Sequence, residues 1–123
     1  MTYSDIYMIS LALIGESEDT DATADYRIRA GYLLTHIVCK LYPVHKALGG
    51  EDIVFVGFGV SLDDEFCLDK RLCGAASLEL AALLLLDELP DISELLKKRA
   101  EAEVSRISAE AASVTPTRGV YGV

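Results

Sequence analysis

The segment that most constrains this chain is Leu72 to Leu86, LCGAASLELAALLLL, in which Glu79 is the only charged residue. At 15 residues it is shorter than the roughly 20 apolar residues a membrane-spanning helix needs, so it reads as a core helix. A helix that is apolar nearly all round must be covered nearly all round. The remainder of a small chain therefore has to be arranged about it. Asp69 is placed as its N-cap and Pro90 as its stop, giving a third helix from about Lys70 to Glu88.

Helical signals surround this segment. Thr2 and Asp5 have capping-box spacing, with Asp in place of the usual Glu, and open a first helix from Tyr3 to Ile14. Tyr3, Ile6, Tyr7, Met8, Ile9 and Leu13 make its apolar face, and Gly15 stands where a C′ residue belongs. After the polar linker ESEDTDAT, Glu16 to Thr23, a second helix is expected from about Ala22 to Leu41 on the stripe Tyr26, Ala30, Leu33, Ile37 and Leu41. Pro43 interrupts it, Val44 to Leu48 can add one more turn, and Gly49-Gly50 stops it. Asp91 with Glu94 forms another capping-box pair, opening a fourth helix that runs to about Ala112.

The run IVFVGFGV, Ile53 to Val60, is the only strong β segment. It is apolar on both alternating faces and requires cover on both sides. It is expected to form a hairpin or extended loop with Val60 to Phe66, or to pair with a neighbouring subunit. Ser113 to Val123 contains Pro116, Gly119 and Gly122 and reads as an extended tail with an apolar face, suited to docking on another protein. The expected fold is mainly α: a four-helix bundle-like domain over residues 1–112, with one short β-hairpin or extended loop between helices 2 and 3, and an extended C-terminal arm over 113–123.

Length and charge narrow the function. The 123 residues fit one domain, large enough to bury a core without a disulfide or a metal. The chain is 51% hydrophobic with a mean hydropathy of +0.30, which favours apolar surface covered by other subunits. Twenty acidic and eleven basic side chains leave a net charge of −9, which disfavours direct binding to phosphate backbones. The one basic run, Lys97-Lys98-Arg99, is flanked by carboxylates and fits a solvated helix face. The odd cysteine count of three (Cys39, Cys67 and Cys73) suits reduced thiols in a cytosolic protein without a signal peptide.

No constellation in the chain makes a convincing catalyst, cofactor cradle or metal centre. Asp19, Asp21 and Thr23 have calcium-loop spacing, but Ala24 and Ala30 stand where the turn glycine and bidentate glutamate belong. His36 and Cys39 lie three apart on a helix with His45 downstream, short of the four ligands a zinc site requires. Gly57-Phe58-Gly59 lacks the further residues of a nucleotide loop. Asp63, Asp64 and Glu65 fit a solvated loop that Phe66 and Leu68 anchor to the core.

Taken whole, the chain resembles the head–tail connector, or adaptor, proteins of tailed bacteriophages and prophages. The carrying features are the first helix TYSDIYMISLALIG, the second ADYRIRAGYLLTHIVCKLYP, the acidic lead-in LDDEFCLD to the helix LCGAASLELAALLLLDE, and a last charged helix with a tail. The resemblance implies a structural protein and no enzyme. Its subunits would form a homo-oligomeric ring that docks on the portal protein, meets tail or head-closure proteins, and lets DNA pass without specific binding. The implied location is the bacterial host cytoplasm during assembly and then the virion neck, with no membrane contact and no cofactor. Loop Ile53–Phe66 and tail Ser113–Val123 become the contact elements, with Phe55, Phe58, Val60, Pro116, Arg118, Val120 and Tyr121 as candidate interface residues. A second reading is a small cytosolic helical protein that binds and regulates a single protein partner.

Overall fold

The computed structural model describes residues 1–16, 21–54 and 59–121, with side chains over 1–16, 24–54 and 59–112. Four helices follow in order: α1 (Tyr3–Leu13), α2 (Asp21–Ala47), α3 (Cys73–Leu85) and α4 (Pro90–Tyr121), with a 3-10 turn over Lys70–Leu72 ahead of α3. No strand forms among the described residues, where Thr2 and Glu65 make an isolated antiparallel bridge. Ile53, Val54, Gly59 and Val60 are irregular, so the expected β segment is loop wherever it is described, and Phe55 to Phe58 lie outside the described residues.

The architecture follows from α3. Nine of its thirteen residues are buried, and it packs against each of the other three helices. Leu72, Ala76, Leu80 and Leu84 meet Ile6, Tyr7 and Leu11 of α1 and Leu34, Ile37 and Val38 of α2 in the larger core cluster. Ala81, Ala82 and Leu85 meet Leu96 of α4 in a smaller one. Burying a leucine side chain is worth roughly 1.5–3 kcal/mol, so these contacts dominate over local helix propensity.

The helix ends account for their own backbone groups. Thr2 and Asp5 form a true capping box, with Asp5 N–H donating to Thr2 Oγ1 at 3.2 Å and Thr2 N–H to Asp5 Oδ2 at 2.8 Å. The acidic loop supplies the rest of the cap. Tyr3 N–H donates to the Asp64 carbonyl at 3.0 Å and Ser4 N–H to the Leu62 carbonyl at 2.7 Å. Helix N-termini otherwise leave these donors without partners. At the other end Gly15, at φ +74°, donates to Ala12 O while Glu16 donates to Leu11 O, a Schellman closure. Gly49, at φ +88°, closes α2 in the same way, donating to Lys46 O while Gly50 donates to His45 O.

Five expectations change. The buried face of α1 is Tyr3, Ile6, Tyr7, Ser10 and Leu11; Met8, Ile9 and Leu13 sit to either side and are exposed. Helix α2 passes through Pro43 to Ala47 without the expected interruption; the proline is exposed, and the turn after it is held by His45, which bonds to Asp69 and Glu51, with Lys46 reaching the Gly50 carbonyl locally. The third helix is shorter than expected, since Asp69 caps the 3-10 turn and α3 ends at Leu85. Pro90 does not merely stop α3 but begins α4, at the first helical position where its missing N–H is no loss, and Asp91 falls in the first turn rather than at the cap. Finally, α4 continues to Tyr121, so the expected extended arm is helical that far. A single internal proline removes one backbone hydrogen bond, and the Ala- and Glu-rich turns before Pro116 are strong helix formers.

Candidate interaction surface

The residues with chemical potential are taken up largely by the fold. His36 and Cys39 are exposed on α2, whereas His45 is buried. His45 Nδ1 accepts the Asp69 N–H at 2.8 Å, and Nε2–H then donates to the Glu51 carbonyl at 2.8 Å. These partners select the neutral Nε2–H tautomer. The imidazole thus ties the end of α2 to the loop after it and to the cap before α3. Gly50 is required by that arrangement, since a Cβ there would stand 2.2 Å from the His45 ring. Asp69 accepts the backbone N–H of Arg71 at 2.9 Å and its guanidinium at 3.0 and 2.9 Å. The guanidinium bonds hold its carboxyl down to about 2. Among the described residues no three His, Cys, Asp or Glu side chains gather to hold a metal ion. Asp19 of the calcium-like spacing lies outside the described residues.

Three further polar features are internal ties. Tyr3 donates its hydroxyl to Cys67 Sγ at 3.1 Å, and its half-buried neighbour Phe66 meets it edge-on with ring centroids 5.8 Å apart. Burial, before the thiol contact, pushes the Tyr3 phenol up. Glu79, buried on α3, pairs with Lys40 of α2, and a recess of about 200 Å³ lies on either side of the pair. Ser93 Oγ donates to the Ala82 carbonyl at 2.6 Å, satisfying one of the open carbonyls at the end of α3 and setting the angle of the α3–α4 corner.

What the fold leaves uncovered is apolar surface. The α3–α4 corner exposes Leu86 (53%), Leu89, Ile92 and Leu95 (61%) within ten residues. Asp87, Glu88, Asp91 and Glu94 are interleaved with them, and Glu88 also accepts the Tyr26 hydroxyl at 2.9 Å. Burial, with that contact second, pushes the Tyr26 phenol up to about 12. On α2, Ile28 (71%) and Tyr32 (64%) stand beside an open cleft of about 500 Å³ whose far wall is Val60, Ser61 and Leu62. That wall lies close because Gly31 has no side chain: a Cβ there would stand 2.9 Å from the Val60 carbonyl oxygen. Val60 N–H donates to Thr35 Oγ1 at 3.0 Å, and Thr35 Oγ1 donates to the Gly31 carbonyl at 2.9 Å.

The sequence-derived interface residues divide accordingly. Val60 is half-buried against the larger core cluster, as is Ile53, while Val54 is 85% exposed. Phe55 and Phe58 lie outside the described residues, and Pro116, Arg118, Val120 and Tyr121 have a helical backbone but side chains outside the described set. The corner and the α2 cleft were missed. Their signal was present, however: Ile28 and Tyr32 fall off the Tyr26–Leu41 stripe, and Leu89, Ile92 and Leu95 recur at spacing three beside the buried Ser93 and Leu96. No helix among the described residues is long and apolar enough to cross a membrane. No family model, curated protein or solved structure matches the chain.

Proposed function

We propose that this protein is a structural subunit that assembles with copies of itself into a ring, in the manner of phage head–tail connectors. The reading is supported above all by the apolar side chains gathered in the open at the α3–α4 corner, on a domain whose central helix is already covered. Exposed apolar patches of this kind mark association surfaces. In this role the ring docks on a portal protein in the host cytoplasm and becomes part of the virion neck, where it receives tail or head-closure proteins. The net charge of −9 suits a channel through which DNA slides without being gripped.

The test is the mass and shape of the purified protein, by light scattering and electron microscopy, with and without a purified phage portal. Rings with a central opening that bind the portal are the expected result. A chain that stays monomeric and captures one partner at one-to-one stoichiometry would overturn the ring and favour a small helical binding protein.

A further inference from the structure

We infer that His45 is a pH-sensitive clasp: its neutral imidazole holds the cap before α3 against the end of α2, and protonating it releases that cap. The inference stands apart from the assembly reading above. The ring is buried, and each of its nitrogens meets a backbone group at 2.8 Å. Nε2–H donates to the Glu51 carbonyl in the neutral and the protonated ring alike. Nδ1 differs, since it accepts the Asp69 N–H and can do so only without a proton of its own. Two N–H groups facing one another at that distance repel. The protonated ring therefore keeps its bond to Glu51 and loses the one to Asp69, and a backbone donor left without a partner is costly. The ring has little room to turn away, with Gly50 packed against it and Tyr42 edge-on at 5.9 Å.

The titratable groups around the ring belong to α2, the loop after it, the turn before α3, and α4. From α2 come Tyr42 and Lys46, the latter paired with Asp52 of the following loop at 2.7 Å. That loop adds Glu51, which is exposed. The turn before α3 brings Asp69 and Arg71, and Glu110 of α4 acts on Arg71 from beyond it. The Asp69 carboxylate is the acid that interacts with the ring, and its two oxygens already accept three bonds from Arg71. Among the described residues no carboxylate is bonded to the imidazole, so a proton on Nδ1 finds no acceptor in place. Release does not stay local. The loop that ends at Asp69 also caps α1 through the Leu62 and Asp64 carbonyls, and Asp69 itself caps the turn leading into α3. The tie to Asp69 exists only with the neutral ring. It is present above the range in which an imidazole titrates and is lost as pH falls through it.

The experiment uses His36→Gln, a change at an exposed position that leaves His45 as the only imidazole in the chain. Nuclear magnetic resonance follows the His45 ring and amide-exchange protection from about pH 7 to about pH 5, where carboxylates largely keep their charge. As the ring takes up its proton, protection of the Asp69 amide should fall by about tenfold or more. The Tyr3 and Ser4 amides should lose protection with it, while Ile37, in the core of α2, changes less. In His45→Gln, made in the same background, the Asp69 amide should show no such step. A ring that takes up a proton with the Asp69 amide still protected would overturn the inference, because the Asp69 carboxylate would then have captured it. So would a ring that stays neutral to the end of the window, or the same loss of protection in the glutamine variant. Should glutamine at this position prevent folding, the ring titration and the Asp69 amide of the His36→Gln protein decide alone.

Discussion

At the scale of single residues, two positions make sharp predictions. Asp69 caps the turn before α3 and is paired with Arg71, so its folded pKa of about 2 lies below the value near 3.9 of an unfolded chain. A depressed carboxylate contributes stability that is present above about pH 4 and disappears as pH falls through about 2. Urea unfolding of wild type should therefore show a loss of roughly 1–2 kcal/mol across that window. In Asp69→Asn that component should be absent. Gly31 predicts the sign of a substitution. In an exposed helix interior, alanine in place of glycine is stabilising by about 1 kcal/mol. Here the new Cβ meets a backbone oxygen at 2.9 Å, and Gly31→Ala should instead lower stability by about 1–3 kcal/mol. A melting temperature raised by the alanine would show that the loop at Val60 does not rest on α2.

At the scale of elements, the position of α3 grades its leucines. Leu80 is fully buried in the larger cluster, whereas Leu83 is half-buried at its edge beside the Lys40–Glu79 pair. Leu80→Ala should cost about 2–5 kcal/mol, and Leu83→Ala distinctly less. Chemical denaturation of the two variants checks the order, and equal losses would mean that α3 is rotated from the orientation described. The same element shows what sequence patterning could convey. Its existence, its burial and the capping role of Asp69 at the turn that leads into it were legible because each depends on residues within a few positions of one another, whereas its bounds were not, since it is shorter at both ends than the apolar run. The rotation of α1 was not legible, because Met8 and Ile9 are as apolar as Ile6 and Tyr7. Only the placement of α3 and α2 determines which of them is covered.

For the whole molecule, the packed part of α4 ends near Ile107 and Ala111 among the described side chains. Residues 113–123 contain Pro116, Gly119 and Gly122, which weaken a helix, so deleting them should leave the melting temperature within a few degrees of wild type. Scanning calorimetry measures this directly, and a large drop would place residues 113–123 in the cooperative unit.

By itself the sequence determined the number and order of the helices, the capping box at Thr2 and Asp5, the closing glycine at Gly15, the cap at Asp69, and the burial of the third helix. Those features arise from interactions at separations of one to four residues, which the spacing of side chains records. Only the tertiary structure decided that α2 continues past Pro43, that His45 joins three segments, and that Val60 lies across Gly31. It alone also leaves Ile28 and Tyr32 beside a cleft and Leu89, Ile92 and Leu95 at an open corner. Each of those outcomes depends on which distant surface is brought near, and a local pattern specifies how apolar a face is but not what will cover it.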